Sequence, residues 1–147
     1  MHHKLLHESS GQRSWALVLE TGEEVMSCLQ KFAKAQRIFA AQITGIGAFS
    51  GIVLQYFDWQ KKQYKRIPVD EQVEVASLIG DVAEGSPGSP ALHVHLVVGR
   101  HDGSAMAGHL GEGRVRPTLE LMITESPTHL RKKKDPVSGL ALIAPQV

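Results

Sequence analysis

Among its 147 residues the chain has a single cysteine, Cys28, so no internal disulfide can form. That scarcity fits a reducing compartment, and a cytoplasmic location is expected. No apolar run approaches the ~20 residues of a membrane span, so no membrane partner is expected. The opening Met1-His2-His3-Lys4-Leu5-Leu6-His7 lacks the longer apolar stretch and small-residue cleavage site of a signal peptide. Net charge is almost absent: 16 Lys and Arg against 15 Asp and Glu leave +1 with histidine neutral. Global attraction to nucleic acid is thereby excluded, and any DNA contact needs a local basic patch or several subunits pooling theirs. A nucleophile-elbow serine, zinc-finger spacing and a recognition helix are also missing. What remains is 42% apolar and 21% charged, an ordinary globular balance and enough for one cored domain.

Histidine, by contrast, is plentiful, with eight copies. His93-Val94-His95 places two imidazoles on one face of a strand, because strand side chains alternate. Whether His109, in Gly108-His109-Leu110, joins them depends on the turn at Arg100-His101-Asp102-Gly103-Ser104. A two-residue Asp102-Gly103 loop puts His109 opposite Leu96, on the wrong face. A three-residue loop His101-Asp102-Gly103, with Gly103 left-handed, puts His109 opposite His95. Asp-Gly suits both loops, so the sequence leaves the clustering open.

Elsewhere the pattern predicts one helix among strands. Residues 1–10 read as a polar mobile tail before a single domain over 11–147. Trp15-Ala16-Leu17-Val18-Leu19 is a first strand. Thr21-Gly22-Glu23-Glu24 matches a capping box, with Thr21 as the cap. A helix over about 23–39 then buries Val25, Leu29, Phe32, Ala33 and Gln36. The small, glycine-rich Ala40–Gly51 stretch suggests a strand lying tightly under the helix and broken by a bulge. No Lys-Ser/Thr follows it, which argues against a phosphate loop. Ile52–Trp59 and Gln63–Ile67 form a hairpin pattern, and Val73–Val82 a further strand. Glu84–Pro90 has loop composition. On Ala91–Val98, Leu92, Val94, Leu96 and Val98 make an apolar face. Val115, Leu119, Leu121 and Ile123 point inward on the next strand, where Pro117 implies an edge or a bulge. Asp135–Gly139 is a turn before the strand Leu140–Ile143. One helix and about seven strands without alternation indicate α+β with a largely antiparallel sheet.

Several stretches in this order resemble the PPC (plants and prokaryotes conserved) domain family. They are Gly22-Glu23-Glu24-Val25, Ile43-Thr44-Gly45-Ile46-Gly47-Ala48, Val73–Gly80, Leu92-His93-Val94-His95-Leu96, and Asp102-Gly103 leading to Ala107-Gly108-His109-Leu110. Glu120 and the Asp135–Gly139 turn also fit, so the likeness runs from about Trp15 to Ile143. The resemblance implies a helix-covered sheet and a homotrimer. Plant members act as nuclear DNA-binding regulators through an AT-hook preceding the domain, and prokaryotic members are labelled DNA-binding by analogy. These 147 residues hold no AT-hook: Gly113-Arg114-Val115-Arg116-Pro117 lacks the glycine between the arginines and opens a strand. The plant-type Gly-Arg-Phe-Glu stands here as Glu71-Gln72-Val73-Glu74.

Two function classes follow. In one, His93, His95 and His109 hold zinc or another transition metal, with Glu112 and Glu120 as carboxylates behind them. An open fourth position would serve an enzyme or a binder of a small anionic ligand, with Glu112 or Glu120 as base in the catalytic version. The competing reading packs these histidines at a subunit interface. A cupin site fits poorly, because Val98-Gly99-Arg100 replaces the expected glutamate. In the other class, a trimeric DNA-associated regulatory module pools two basic runs, Lys61, Lys62, Lys65 and Arg66, and Arg131, Lys132, Lys133 and Lys134. They would grip phosphates weakly and without sequence preference, with Tyr64 available for stacking. Solvated surface is the bland alternative for both runs. Cys28 reads as a small buried residue, and His2, His3 and His7 as adventitious metal binders.

Overall fold

A computed structural model describes residues 1–85 and 88–145. Strong apolar alternation becomes strand, as in β2 (Gln12–Glu20), where Trp15, Leu17 and Leu19 are buried and Val18 is not. Before it runs β1 (His2–Ser9), and after it come α1 (Val25–Gln36), β3 (Ala40–Asp58), β4 (Gln63–Val69) and β5 (Val73–Glu84). The chain continues through β6 (Pro90–Gly99), β7 (Ala105–Glu125), β8 (Lys132–Lys134) and β9 (Ala141–Ile143). Seven strands form one sheet in the order β1-β2-β7-β6-β5-β3-β4, with every ladder antiparallel. The long β3 also pairs with β7, so β3, β5, β6 and β7 close into a ring. β8 and β9 pair separately.

Helix α1 packs on β6 and β7. Its buried stripe of Val25, Leu29, Phe32 and Ala33 joins Trp15, Leu17, Phe49, Val94, Val98 and Leu119 in a single core. Each large side chain buried this fully contributes roughly 1.5–3 kcal/mol. The expected inward faces of β6 and β7 hold, with Val94, Leu96, Val98, Val115, Leu119, Leu121 and Ile123 all buried and Leu92 packed at the margin.

Four expectations change. Residues 2–9 are not a free tail; they pair with β2 from His2↔Val18 to Ser9↔Gln12. The helix starts later and ends earlier than the pattern predicts, with Gln36 only half-buried. Its N-cap is Glu24, whose carboxylate accepts from the amides of Met26 (3.1 Å) and Ser27 (2.7 Å). Thr21 instead donates its hydroxyl to the Pro117 carbonyl (3.0 Å). The cause is tertiary: Gly22 N donates to Val115 O (2.9 Å) and Val115 N to Glu23 O (3.0 Å), which holds 22–23 against β7. Finally, the glycine-rich stretch is pressed against β7 rather than under the helix. A Cβ on Gly45 would meet Glu120 O at 2.8 Å, and one on Gly47 (φ +151°) would meet Leu119 Cα at 2.7 Å. The ladder slips between Gly45 and Gly47, the bulge the glycines suggested. Ser86 and Pro87 of the Glu84–Pro90 loop, like residues 146–147 at the end of the expected domain, lie outside the described residues.

Candidate metal centre

The turn before β7 sets the site. Arg100 N donates to Ser104 O (2.8 Å) and Gly103 N to Arg100 O (2.9 Å), enclosing a three-residue loop. Gly103 is left-handed at φ +82°. The Asp102 carboxylate accepts from the Ser104 amide (2.9 Å) and hydroxyl (2.6 Å), closing the turn. The register that follows pairs Val98 with Met106 and His95 with His109. On the other side of β6, Asp81 of β5 lies opposite His93 and Ile79 opposite His95. Gly80 allows the two strands to approach here, since a Cβ would stand 2.6 Å from His93 O.

His93, His95 and His109 therefore meet on one chain. Their ligand nitrogens all lie within 4.8 Å of one another, and His93 Nε2 is 3.1 Å from His95 Nε2. Ring centroids are 4.9 Å apart for His93–His95 and 5.2 Å for the other two pairs. Tetrahedral zinc with Zn–N near 2.0–2.1 Å holds its ligand nitrogens about 3.3 Å apart. Among the described residues this is the one group of three or more His, Cys, Asp or Glu arranged to hold an ion. His109 Nδ1 is buried without a hydrogen-bond partner. A buried ring nitrogen without a partner is costly in either tautomer.

Electrostatics keep these rings available as ligands. Burial pushes His109 down to about 4, with further lowering from His93, His95 and Lys132. Burial, then the neighbouring His93, also lowers His95. Both are neutral at pH 7, each with a free lone pair. His93 Nδ1 sits 3.4 Å from Asp81 Oδ2. A carboxylate on the far nitrogen fixes the tautomer of a ligating histidine and leaves Nε2 for the metal. Tyr64 covers His109 with ring centroids 5.0 Å apart.

The carboxylate at this cluster is thus Asp81, which sequence reasoning missed. Glu112 of β7 accepts from Arg66 Nη2 of β4 (2.8 Å) across the intervening β3. Glu120 lies eleven positions beyond His109 on β7, opposite Val18 and Ile46. Of the basic runs, Arg66 is paired with Glu112, Arg131 with Glu84 (3.0 Å) and Lys132 with Asp81 (2.8 Å). Lys62 Nζ lies 3.2 Å above the Trp59 ring, and Lys61 is 4.0 Å from Asp58. Lys65, Lys133 and Lys134 are exposed. Cys28 is half-buried at the core margin, and burial raises its thiol pKa. His3 packs edge-on against Trp15 and Phe32.

The topology agrees with the comparisons with known proteins. The profile of the Plants and Prokaryotes Conserved (PCC) domain matches residues 6–127, and the chain belongs to that family. Among solved structures, a plant- and prokaryote-conserved protein from Pyrococcus horikoshii is similar at 31% identity and TM-score 0.83, covering 97% of this chain and 94% of that one. A protein from Archaeoglobus fulgidus described as metal-containing matches at 30% identity and TM-score 0.82, over 89% of this chain and 92% of its own. One from Bacteroides thetaiotaomicron, described as a "putative DNA binding protein", matches at 25% identity and TM-score 0.86, over 99% of each chain. No curated protein matches the sequence. Among the described residues no helix is long and apolar enough to cross a membrane.

Proposed function

We propose that this chain is a trimer-forming module that holds a divalent transition metal, zinc by preference, on His93, His95 and His109. The observation that carries this reading is the convergence of three imidazoles, one with an unpartnered buried nitrogen. The metal-containing neighbour supports it. All-nitrogen ligands suit zinc and its neighbours rather than calcium or magnesium. Three protein ligands leave a fourth position open, where a bound metal would take water or a small anion. Asp81 orients His93, and Tyr64 shields one side of His109 from solvent.

Assembly is supported by an apolar depression lined by Val18, Ile46, Ile79 and Met122. Ile46 is 61% exposed and Ile79 55%, an arrangement that a monomer in water would not favour. Ile79 lies opposite His95, so the metal centre borders the proposed subunit interface.

Elemental analysis of the untagged, full-length chain tests the metal reading. His2, His3 and His7 are replaced by Gln to silence the exposed N-terminal imidazoles, because deleting residues 1–10 would remove β1. About one metal ion per chain is expected, and none in the His93→Ala/His95→Ala/His109→Ala variant. Equal metal in both, or none after zinc supplementation, refutes the centre. A second reading, weak DNA association, is favoured by the descriptions of the Bacteroides neighbour and of one from Ralstonia eutropha, and by exposed Lys65, Lys133 and Lys134.

A further inference from the structure

Residues 128–145 lie beyond the stretch matched to the family, yet they press a charge against the histidine cluster. Leu130 N donates to Phe39 O (3.2 Å) and Glu84 N to Leu130 O (2.7 Å). Arg131 Nε donates to Glu84 Oε2 (3.0 Å). These bonds lay residues 130–132 along the end of β5 and bring Lys132 to Asp81. The Lys132 ammonium stands 2.8 Å from Asp81 Oδ1, with its side chain only 5% exposed. The contact is ionic, since Oδ1 receives no aligned hydrogen bond. The other carboxylate oxygen faces His93 Nδ1. A lysine, a carboxylate and a candidate metal ligand thus form one chain of contacts, with the lysine supplied by the C-terminal segment.

We propose that Lys132 is a positioning and affinity-setting residue of the metal centre, one that weakens metal binding and couples it to docking of residues 128–145. The inference rests on the metal reading above. Two effects act in the same direction. A carboxylate behind a ligating histidine raises its basicity, and an ammonium on the same carboxylate offsets that gain. The ammonium also repels an incoming divalent cation, and a buried charge is little screened by salt. Coupling is reciprocal. Metal binding therefore loosens the C-terminal segment by the same factor by which its docking weakens the metal.

Zinc affinity of the full-length chain, measured by chelator competition, tests this. Lys132→Met keeps the apolar stem and removes the charge. It should bind zinc ~3–10-fold more tightly than wild type. Lys132→Arg, which restores the charge, should return affinity to the wild-type value. Asp81→Asn should weaken zinc about 10-fold and shift the absorption bands of the cobalt-substituted protein. Lys132→Met leaves Asp81 without its cation and is expected to melt lower without metal. The Asp81→Asn/Lys132→Met double variant has neither buried charge and keeps the comparison interpretable: it should bind more tightly than Asp81→Asn alone. A lysine that only packs would give weaker or unchanged binding on removal, and either result overturns the proposal. If wild type takes up no zinc, the metal reading itself fails. If wild type binds and Lys132→Met is no tighter, this inference alone fails.

Discussion

Acidification of the metal-free protein should expose the cost of keeping His109 neutral. In the unfolded chain an imidazole titrates near 6.5, whereas burial holds His109 at about 4 in the folded one. Between those values the unfolded state binds more protons than the folded state, so stability falls as pH drops through that window. Above about pH 7 neither state is protonated and the penalty is absent. At ~1.36 kcal/mol per pH unit the ceiling is about 3 kcal/mol. His109 is only half-buried, and solvent screening cuts this to roughly 1.5 kcal/mol. Urea unfolding in chelator, followed by the fluorescence of buried Trp15, measures it at pH 7.5 and 4.5. Many carboxylates contribute to acid unfolding, so the informative quantity is the difference from His109→Gln, which keeps a polar side chain but cannot titrate. Wild type should lose about 1.5 kcal/mol more than His109→Gln over this interval. An equal loss in the two proteins would show that His109 is not held neutral by the fold.

The assembly and DNA readings have their own tests. Ile46→Lys or Ile79→Lys places a charge in the apolar depression and should convert a species of three times the chain mass to a monomer by light scattering, with the far-ultraviolet spectrum unchanged. A wild-type monomer would remove the trimer. For DNA, wild type should be retained on immobilised duplex at low salt and released steeply as salt rises. The Lys65→Gln/Lys133→Gln/Lys134→Gln variant should elute at clearly lower salt, while Lys132→Gln, whose lysine is paired with Asp81, should leave retention nearly unchanged. Failure of wild type to bind even at low salt rules the DNA reading out.

Local pattern revealed the core more readily than the site. The inward faces of β6 and β7 and the helical stripe Val25, Leu29, Phe32 and Ala33 were legible because each is a local periodicity. β1 was not, because all eight of its residues are exposed and only backbone pairing with β2 orders them. The helix start was displaced by backbone bonds from residues 22–23 to Val115, a partner more than ninety positions away. Glycines 45 and 47 announced a close approach but not its partner, which again is remote in sequence.

The histidine cluster lay between these cases, and the chain did contain the signal that decides it. A one-residue slip of β7 against β6 turns every β7 side chain to the other face. The two-residue loop would have faced His109 inward with Leu96 and turned Leu110 out to water. The three-residue loop buries Leu110, which is 1% exposed, and turns His109 toward His95. Burial of one leucine and separation of the histidines from the core are therefore the same choice of register, worth roughly 1.5–3 kcal/mol for the leucine alone. Asp81 and Lys132 offered no comparable clue. They are 51 positions apart, and their contact exists only because β5 pairs with β6 opposite His93 while the segment after β7 returns along the end of β5. The meeting of the three histidines could be inferred from strand alternation and a turn. The charges beside them depend on the tertiary path of the chain, which brings Asp81 to His93 and Lys132 to Asp81 from elements that no local pattern links.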